Sequence, residues 1–310
     1  MKKTVFFNMN QLGDLIFALP VILAAKACGE QVYCIVKSSF APILQKAELI
    51  DGFIDKSLPF VQLVKAIKSY KFDRAILFSE SPSSLLAAYI SQIKERIGFD
   101  SALLSFLLTK TAQKSGVPSL FNNNRLGIAA GFANIKSGYT DIVKIPKFNI
   151  ESVQNWLSQQ GVNSQNTIVF SIGASKRRKD KCLPKKIWAE IIDEMSGRGF
   201  SCILSGAPYE KDDMQDLADL CVQKPKIFDA PKGILDSAAL LKISRLFIGI
   251  DSGAMHLAAA VGTKCLGIFA KTDPLQIGPM PLAHHIIVQK DYIYDFKAQD
   301  IISQAVICLK

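Results

Sequence analysis

The sequence has no CxxC pair, no apolar run of the ~20 residues a spanning helix needs, and no Gly-Lys-Ser/Thr phosphate loop. Nor does a GxGxxG follow the first strand of either half. The first absence counts against a zinc site. With seven cysteines, odd in number, widely spaced and mostly set in apolar stretches such as 32–36, it also counts against a disulfide frame and favours buried thiols in a reducing cytosol. The second excludes a polytopic membrane protein, the third a P-loop, and the fourth weakens any dehydrogenase reading. Helix-turn-helix, RNP and zinc-finger patterns are also missing, so nucleic acid is not an expected partner.

What is present is a globular composition, 49% hydrophobic and 21% charged, in 310 residues, enough for two domains with their own cores. The net charge of +10 favours anionic partners: phosphates, nucleic acid or acidic lipid. At the N-terminus, Lys2-Lys3, the apolar run 15–25 and Ala25-Lys26-Ala27 imitate a secretory signal. Asn8, Asn10, Gln11 and Asp14 interrupt that pattern, and residues 4–14 read instead as strand, turn and helix start, so a cytoplasmic protein is expected.

Strand-length apolar runs alternate with helix-length amphipathic stretches, the signature of parallel α/β architecture. Strands are expected at 4–9, 31–36, near 53, and at 74–78, with helices beginning near Gly13, Phe40, Phe60 and Pro82. The polar stretch 109–124, with Gly116, Pro118 and three consecutive asparagines, reads as a long loop, and 142–145 as a last strand. The division is expected near 146–150, giving domains 1–148 and 149–310. The second carries strands at 167–171, 201–204, 226–228, 246–250 and 264–269 and ends in a helix at 298–309, which is free to pack back on the first domain. The expected fold is two Rossmann-like doubly wound domains facing a central cleft, where ligand binds at the carboxyl ends of the strands.

Three segments carry chemistry. In 247–260 a buried strand stops at Asp251, Gly253 permits a turn, and an Ala-rich helix follows. The first turn of such a helix leaves N–H groups unpaired and carries positive partial charge, which suits phosphate. An ordinary capped turn explains the same residues. Residues 173–181 supply a glycine, a hydroxyl and a run of cations after another strand, suited to a diphosphate or merely to a solvated surface. In 10–14, Asp14 is either a general base or a carboxylate complementing the helix N-terminus.

Together these segments resemble glycosyltransferase family 9, the lipopolysaccharide heptosyltransferases. Gly13-Asp14-Leu15-Ile16-Phe17-Ala18-Leu19-Pro20 is similar to the family's N-terminal GD…LP element. Asp251 to Ala260, with Thr272-Asp273-Pro274 and Gly278-Pro279, is similar to its D(T/S)GxxHLAAA…TDP…GP signature. Arg96-Ile97-Gly98-Phe99, then Gly173-Ala174-Ser175 with Lys181 and Pro184, then Gly206-Ala207-Pro208-Tyr209-Glu210 follow in order.

The resemblance implies a GT-B fold and an enzyme, an inverting glycosyltransferase without metal or cofactor, moving heptose from ADP-heptose to the lipopolysaccharide inner core. It implies Asp14 as general base and Ser175 and Lys181 as holders of the donor phosphates. It further implies Ser252, Gly253, Ala254, Met255 and His256 around the diphosphate, Asp251 near the donor sugar and Glu210 near the ribose. The chain also lacks the Asp-x-Asp expected of a metal-dependent transferase. It departs from the family in Lys181-Cys182-Leu183-Pro184, where Lys-Arg-Trp-Pro is common, and in Lys271 before Thr272-Asp273-Pro274. The expected setting is cytoplasmic and peripheral to the inner membrane, with an anionic glycolipid acceptor. The competing readings are a GT-B enzyme using another nucleotide sugar and a non-catalytic nucleotide-sugar-binding protein.

Overall fold

A strand covered on both faces needs no polar alternate positions, so the strands of a parallel sheet read as continuous apolar runs. Leu246–Ile250 and Cys265–Ala270 are of this kind and are buried throughout. They belong to a computed structural model that describes residues 1–173, 181–231 and 233–309. The chain divides into two compact units, Met1–Tyr139 and Thr140–Lys310.

The first unit holds β1 (Lys3–Met9), β2 (Gln31–Val36), β3 (Gly52–Asp55), β4 (Arg74–Leu77), β5 (Glu95–Phe99) and β6 (Lys110–Ala112). They pair in parallel in the order β3-β2-β1-β4-β5-β6. One sheet face, through Val5, Phe7, Ile54 and Leu77, packs on Ile67 of helix Phe60–Tyr70 and on Leu85 and Ala88 of helix Pro82–Ile90. Helix Leu12–Ala27 packs with helix Ser119–Ala129.

The second unit repeats the plan with β7 (Thr167–Ser171), β8 (Ser201–Ser205), β9 (Lys226–Phe228), β10 (Leu246–Ile250), β11 (Cys265–Ala270) and β12 (Ile286–Lys290). The order β12-β11-β10-β7-β8-β9 is again parallel. Helix Ala298–Leu309 closes this unit, setting Ile301, Ile302, Ala305 and Leu309 into its core beside Trp188 and Met195. In each sheet the strand order reverses once, between β1 and β4 and between β7 and β10, and the crevice at such a reversal is where doubly wound sheets take ligands.

Two expectations are corrected. The stretch 109–124 is not a long loop: it contains β6 and much of helix Ser119–Ala129. Its three asparagines are buried inside that helix because each has a tertiary partner. Asn122 bonds Ser115 and Val117, Asn123 donates to Phe17 O at 3.2 Å, and Asn124 donates to Lys136 O at 3.0 Å. Residues 142–145 form no strand. The Val143 N–H donates to Ala260 O, at the end of a helix of the second unit, instead of to a sheet edge. Strand β5 and the edge strands β6 and β12 escaped the sequence reading, β5 because it opens on Glu95-Arg96 and the edges because they are half exposed, so that none shows a continuous apolar run.

Candidate active site

In the second unit the loops after β7 and β10 flank the reversal point. Lys181 joins them: its Nζ donates to Asp251 Oδ2, and both side chains are almost wholly buried. A buried carboxylate needs such a counter-charge, so the pair fixes where β10 hands over to the next helix. Ser252 takes the N-cap position of helix Gly253–Ala260 in extended conformation. The N–H groups of Gly253, Ala254 and Met255 precede the first intrahelical bond, made by His256 N to Ser252 O at 3.5 Å, and so carry the positive end of the helix.

Among the described residues, Ser252 Oγ is buried without a hydrogen-bond partner. An orphaned buried hydroxyl costs free energy unless something else satisfies it. His256 is buried, and burial pushes its imidazole down to about 4, with Asp251 opposing and Lys181 reinforcing that effect. At neutral pH it is an uncharged donor or acceptor. The Met255 side chain is core: its sulfur lies against Gly267 of β11, where an added Cβ would sit 2.9 Å from it, leaving only its backbone to a ligand.

Glu210 ends a 3-10 turn, Pro208–Glu210, and its Oε2 accepts the Ala207 N–H at 2.6 Å. Its carboxylate lies across two glycines at the ends of β7 and β8. A Cβ on Gly173 would fall 1.7 Å from Oε1, and one on Gly206 2.6 Å from Oε2. Burial pushes this carboxyl above its ordinary value, the Ala207 N–H pulls it back, and Asp213 adds to the rise. Ser175 and the cations at 176–179 lie outside the described residues.

In the first unit Asp14 lies in the first turn of helix Leu12–Ala27, which follows β1 at that sheet's reversal point. Its Oδ2 accepts the Gln11 N–H at 3.0 Å. The residue is exposed, yet desolvation of the carboxyl by the surrounding chain pushes its pKa up, against the Gln11 and Asn10 amides and the charge of Lys56. Asn10 Oδ1 beside it is another buried atom with no partner among the described residues.

Lys37 and Lys56, which the sequence reading missed, follow directly on β2 and β3. The register Val36↔Asp55 and the bond from Lys56 N to Val36 O at 3.1 Å bring their backbones side by side. Burial and the neighbouring Lys37 lower the Lys56 pKa, while Asp14 raises it. The signal was available: each lysine is the first residue past a strand's carboxyl end, as Asn10 is past β1.

The chemical inventory is therefore a candidate anion cradle in one unit and, in the other, a carboxylate of raised pKa within the field of Lys56. A model of glycosyltransferase family 9 (heptosyltransferase) matches residues 60–305, a range that includes the loops after β7 and β10 and begins after Asp14. A lipopolysaccharide heptosyltransferase 3 of Escherichia coli is 24% identical over 282 residues, covering 84% of this chain and 81% of its own. The crystal structure of a family 9 glycosyl transferase from Veillonella parvula aligns with a TM-score of 0.87 at 19% identity, covering 99% of this chain and 97% of that one. The E. coli ADP-heptose lps heptosyltransferase II aligns at 0.84 and 14%, covering 100% and 98%. At such identities the two structures speak for the fold, which is GT-B.

Proposed function

The chain belongs to glycosyltransferase family 9, the heptosyltransferase family, and on that premise we propose that it transfers heptose from ADP-heptose to a hydroxyl of the lipopolysaccharide inner core, with inversion and without a metal. The observation that carries the donor half is the cradle at the β7/β10 reversal. A free helix N-terminus, the Lys181–Asp251 pair and an unsatisfied Ser252 hydroxyl together suit a diphosphate better than any other small group. That a relative is a lipopolysaccharide heptosyltransferase, and that an ADP-heptose lps heptosyltransferase has the same fold, supports the nature of the acceptor and of the donor.

In this reading Asp14 takes the proton of the acceptor hydroxyl as its oxygen attacks the anomeric carbon. The bond from that carbon to the phosphate oxygen breaks on the opposite face, and its electron pair leaves with ADP. A carboxylate whose pKa is pushed up is the stronger base for that step. The charge growing on the diphosphate is met by the amides of Gly253, Ala254 and Met255, by His256 as a neutral donor, by Ser252 and by the remaining N–H groups of Lys181, with Ser175 contributing a further hydroxyl. Asp251 orients Lys181 and borders the donor sugar, and Glu210 receives a ribose hydroxyl. The acceptor, a glycolipid, sets the enzyme at the cytoplasmic face of the inner membrane as a peripheral protein.

Transfer measured with ADP-heptose, a core acceptor and a chelator tests this. Product should form in the chelator's presence and fall by about 10²–10⁴-fold in Asp14→Asn, while ADP binding stays intact. Loss of activity on chelation would sink the metal-free mechanism. Preference for a UDP- or GDP-sugar would sink the donor assignment, and binding without transfer would reduce the protein to a binding module.

A further inference from the structure

Helix Pro82–Ile90 turns Leu85, Ala87 and Ala88 into the first unit's core, so the positions at the opposite face are Pro82, Ser83, Leu86, Tyr89 and Ile90. A solvent face at that spacing is ordinarily polar. Here Leu86, Tyr89 and Ile90 are large, apolar and exposed.

The stripe does not stand alone. The 3-10 turn Ser105–Leu107 packs on this helix with Leu104 and Leu107 against the core, which turns Leu103 and Phe106 outward, 80% and 77% exposed. Helix Phe60–Tyr70 packs on its other side, tied by Ser91 Oγ donating to Val64 O at 3.4 Å, and adds exposed Phe60 and Val61. Exposed apolar side chains gathered from three adjoining elements mark an interaction surface.

The charge within these three segments has one sign. Residues 56–72, 81–94 and 101–114 contain no Asp or Glu, while Lys65, Lys68 and Lys94 are exposed along them and the Arg96 guanidinium sits 5.4 Å from the Tyr89 ring centroid. Of the acidic side chains that border these segments, Glu80 pairs with Lys114 and Glu95 with Lys2, Arg74 and Lys110, Asp55 accepts from Ser38 and Ser57, Asp73 accepts the Lys3 N–H, and Asp100 is exposed.

We propose that this face, formed by the exposed side of helices Phe60–Tyr70 and Pro82–Ile90 and the Leu103–Phe106 corner, docks the protein on an anionic lipid bilayer. Apolar side chains enter the headgroup boundary while the lysines meet lipid phosphates, the two attractions that together hold a peripheral protein. A second copy fits the face poorly, because a self-complementary contact would set cationic rim against cationic rim. The inference deepens the proposed function, on which it rests for the glycolipid that the docked enzyme would meet; the surface itself is read from the first unit alone.

Co-sedimentation of the full chain with vesicles of phosphatidylcholine, with and without phosphatidylglycerol, tests it. Wild type should pellet with the anionic vesicles and stay in solution with the neutral ones. Leu103→Ser/Phe106→Ser should lower the partition coefficient by more than about tenfold, and Lys65→Glu/Lys68→Glu by at least about fivefold per lysine. Circular dichroism should show both variants folded, since all four positions are exposed. Transfer from ADP-heptose to a water-soluble deacylated core acceptor should be unchanged in both. Wild type remaining in solution, variants pelleting like wild type, or a wild-type dimer that the apolar variant turns into monomer would each overturn the docking. Vesicle binding without transfer would strike the proposed function and leave the docking standing. Transfer to the soluble acceptor without vesicle binding would do the reverse.

Discussion

Replacing Gly173 by alanine would set a methyl carbon 1.7 Å from Glu210 Oε1 and 2.4 Å from its Cδ. The carboxylate cannot yield sideways, because Gly206 closes the other side and Oε2 is bound to the Ala207 N–H at 2.6 Å. It must swing out and give up that charge-assisted bond, worth about 1.5–3 kcal/mol. Burial already pushes the Glu210 carboxyl up, so hydration returns part of the cost and the net loss should fall near the lower figure. In a unit of this size 1 kcal/mol moves the midpoint by about 2–4 °C, so Gly173→Ala should melt roughly 3–6 °C lower. The decisive measurement is a double-mutant cycle in thermal or urea unfolding: Gly173→Ala should cost almost nothing in a Glu210→Ala background. Calorimetric titration with ADP should show the two single variants weakened alike, because both remove the carboxylate from its seat. An equal cost of Gly173→Ala in both backgrounds would refute the reasoning and locate the strain in the backbone after β7.

Three further outcomes follow from the two crevices. Lys181→Met strands Asp251 in the interior and should destabilise the second unit by about 3–5 kcal/mol, whereas Lys181→Met/Asp251→Asn should recover most of it without restoring ADP affinity; equal melting of the two variants would dissolve the pair's role. Ser252→Ala removes an unsatisfied hydroxyl, so the melting temperature should hold or rise while ADP affinity falls about tenfold, and a parallel loss of both would make the serine a plain cap. The acidic limb of kcat/KM should lie above pH 3.8, the ordinary aspartate value, because burial raises Asp14 and activity needs its carboxylate. Lys56 opposes that rise, so Lys56→Met should move the limb to still higher pH, and a limb left in place would disconnect the lysine from the base.

The repeating α/β plan was legible in the sequence because parallel strands leave a continuous apolar trace and the helices between them an amphipathic one. Runs 31–36, 167–171 and 246–250 needed nothing more, since burial on both faces is written residue by residue. The candidate anion site after β10 was legible for a similar reason, as Asp251 to His256 are six consecutive residues. Reading failed where a residue's partner is distant in the chain. Asn122, Asn123 and Asn124 look like a turn until Ser115, Phe17 and Lys136 arrive to satisfy them inside a helix.

The sequence by itself therefore determined the two parallel sheets, the strand ends that carry the candidate site residues, and the net positive charge. Only the tertiary structure decided that Lys181 is held by Asp251, 70 residues away, that Glu210 rests over Gly173 and Gly206, and that Lys56 comes beside Lys37 and within the field of Asp14. Those arrangements depend on strand order, and strand order is set by which apolar faces can be buried together, a property of the assembled sheet that no single segment carries.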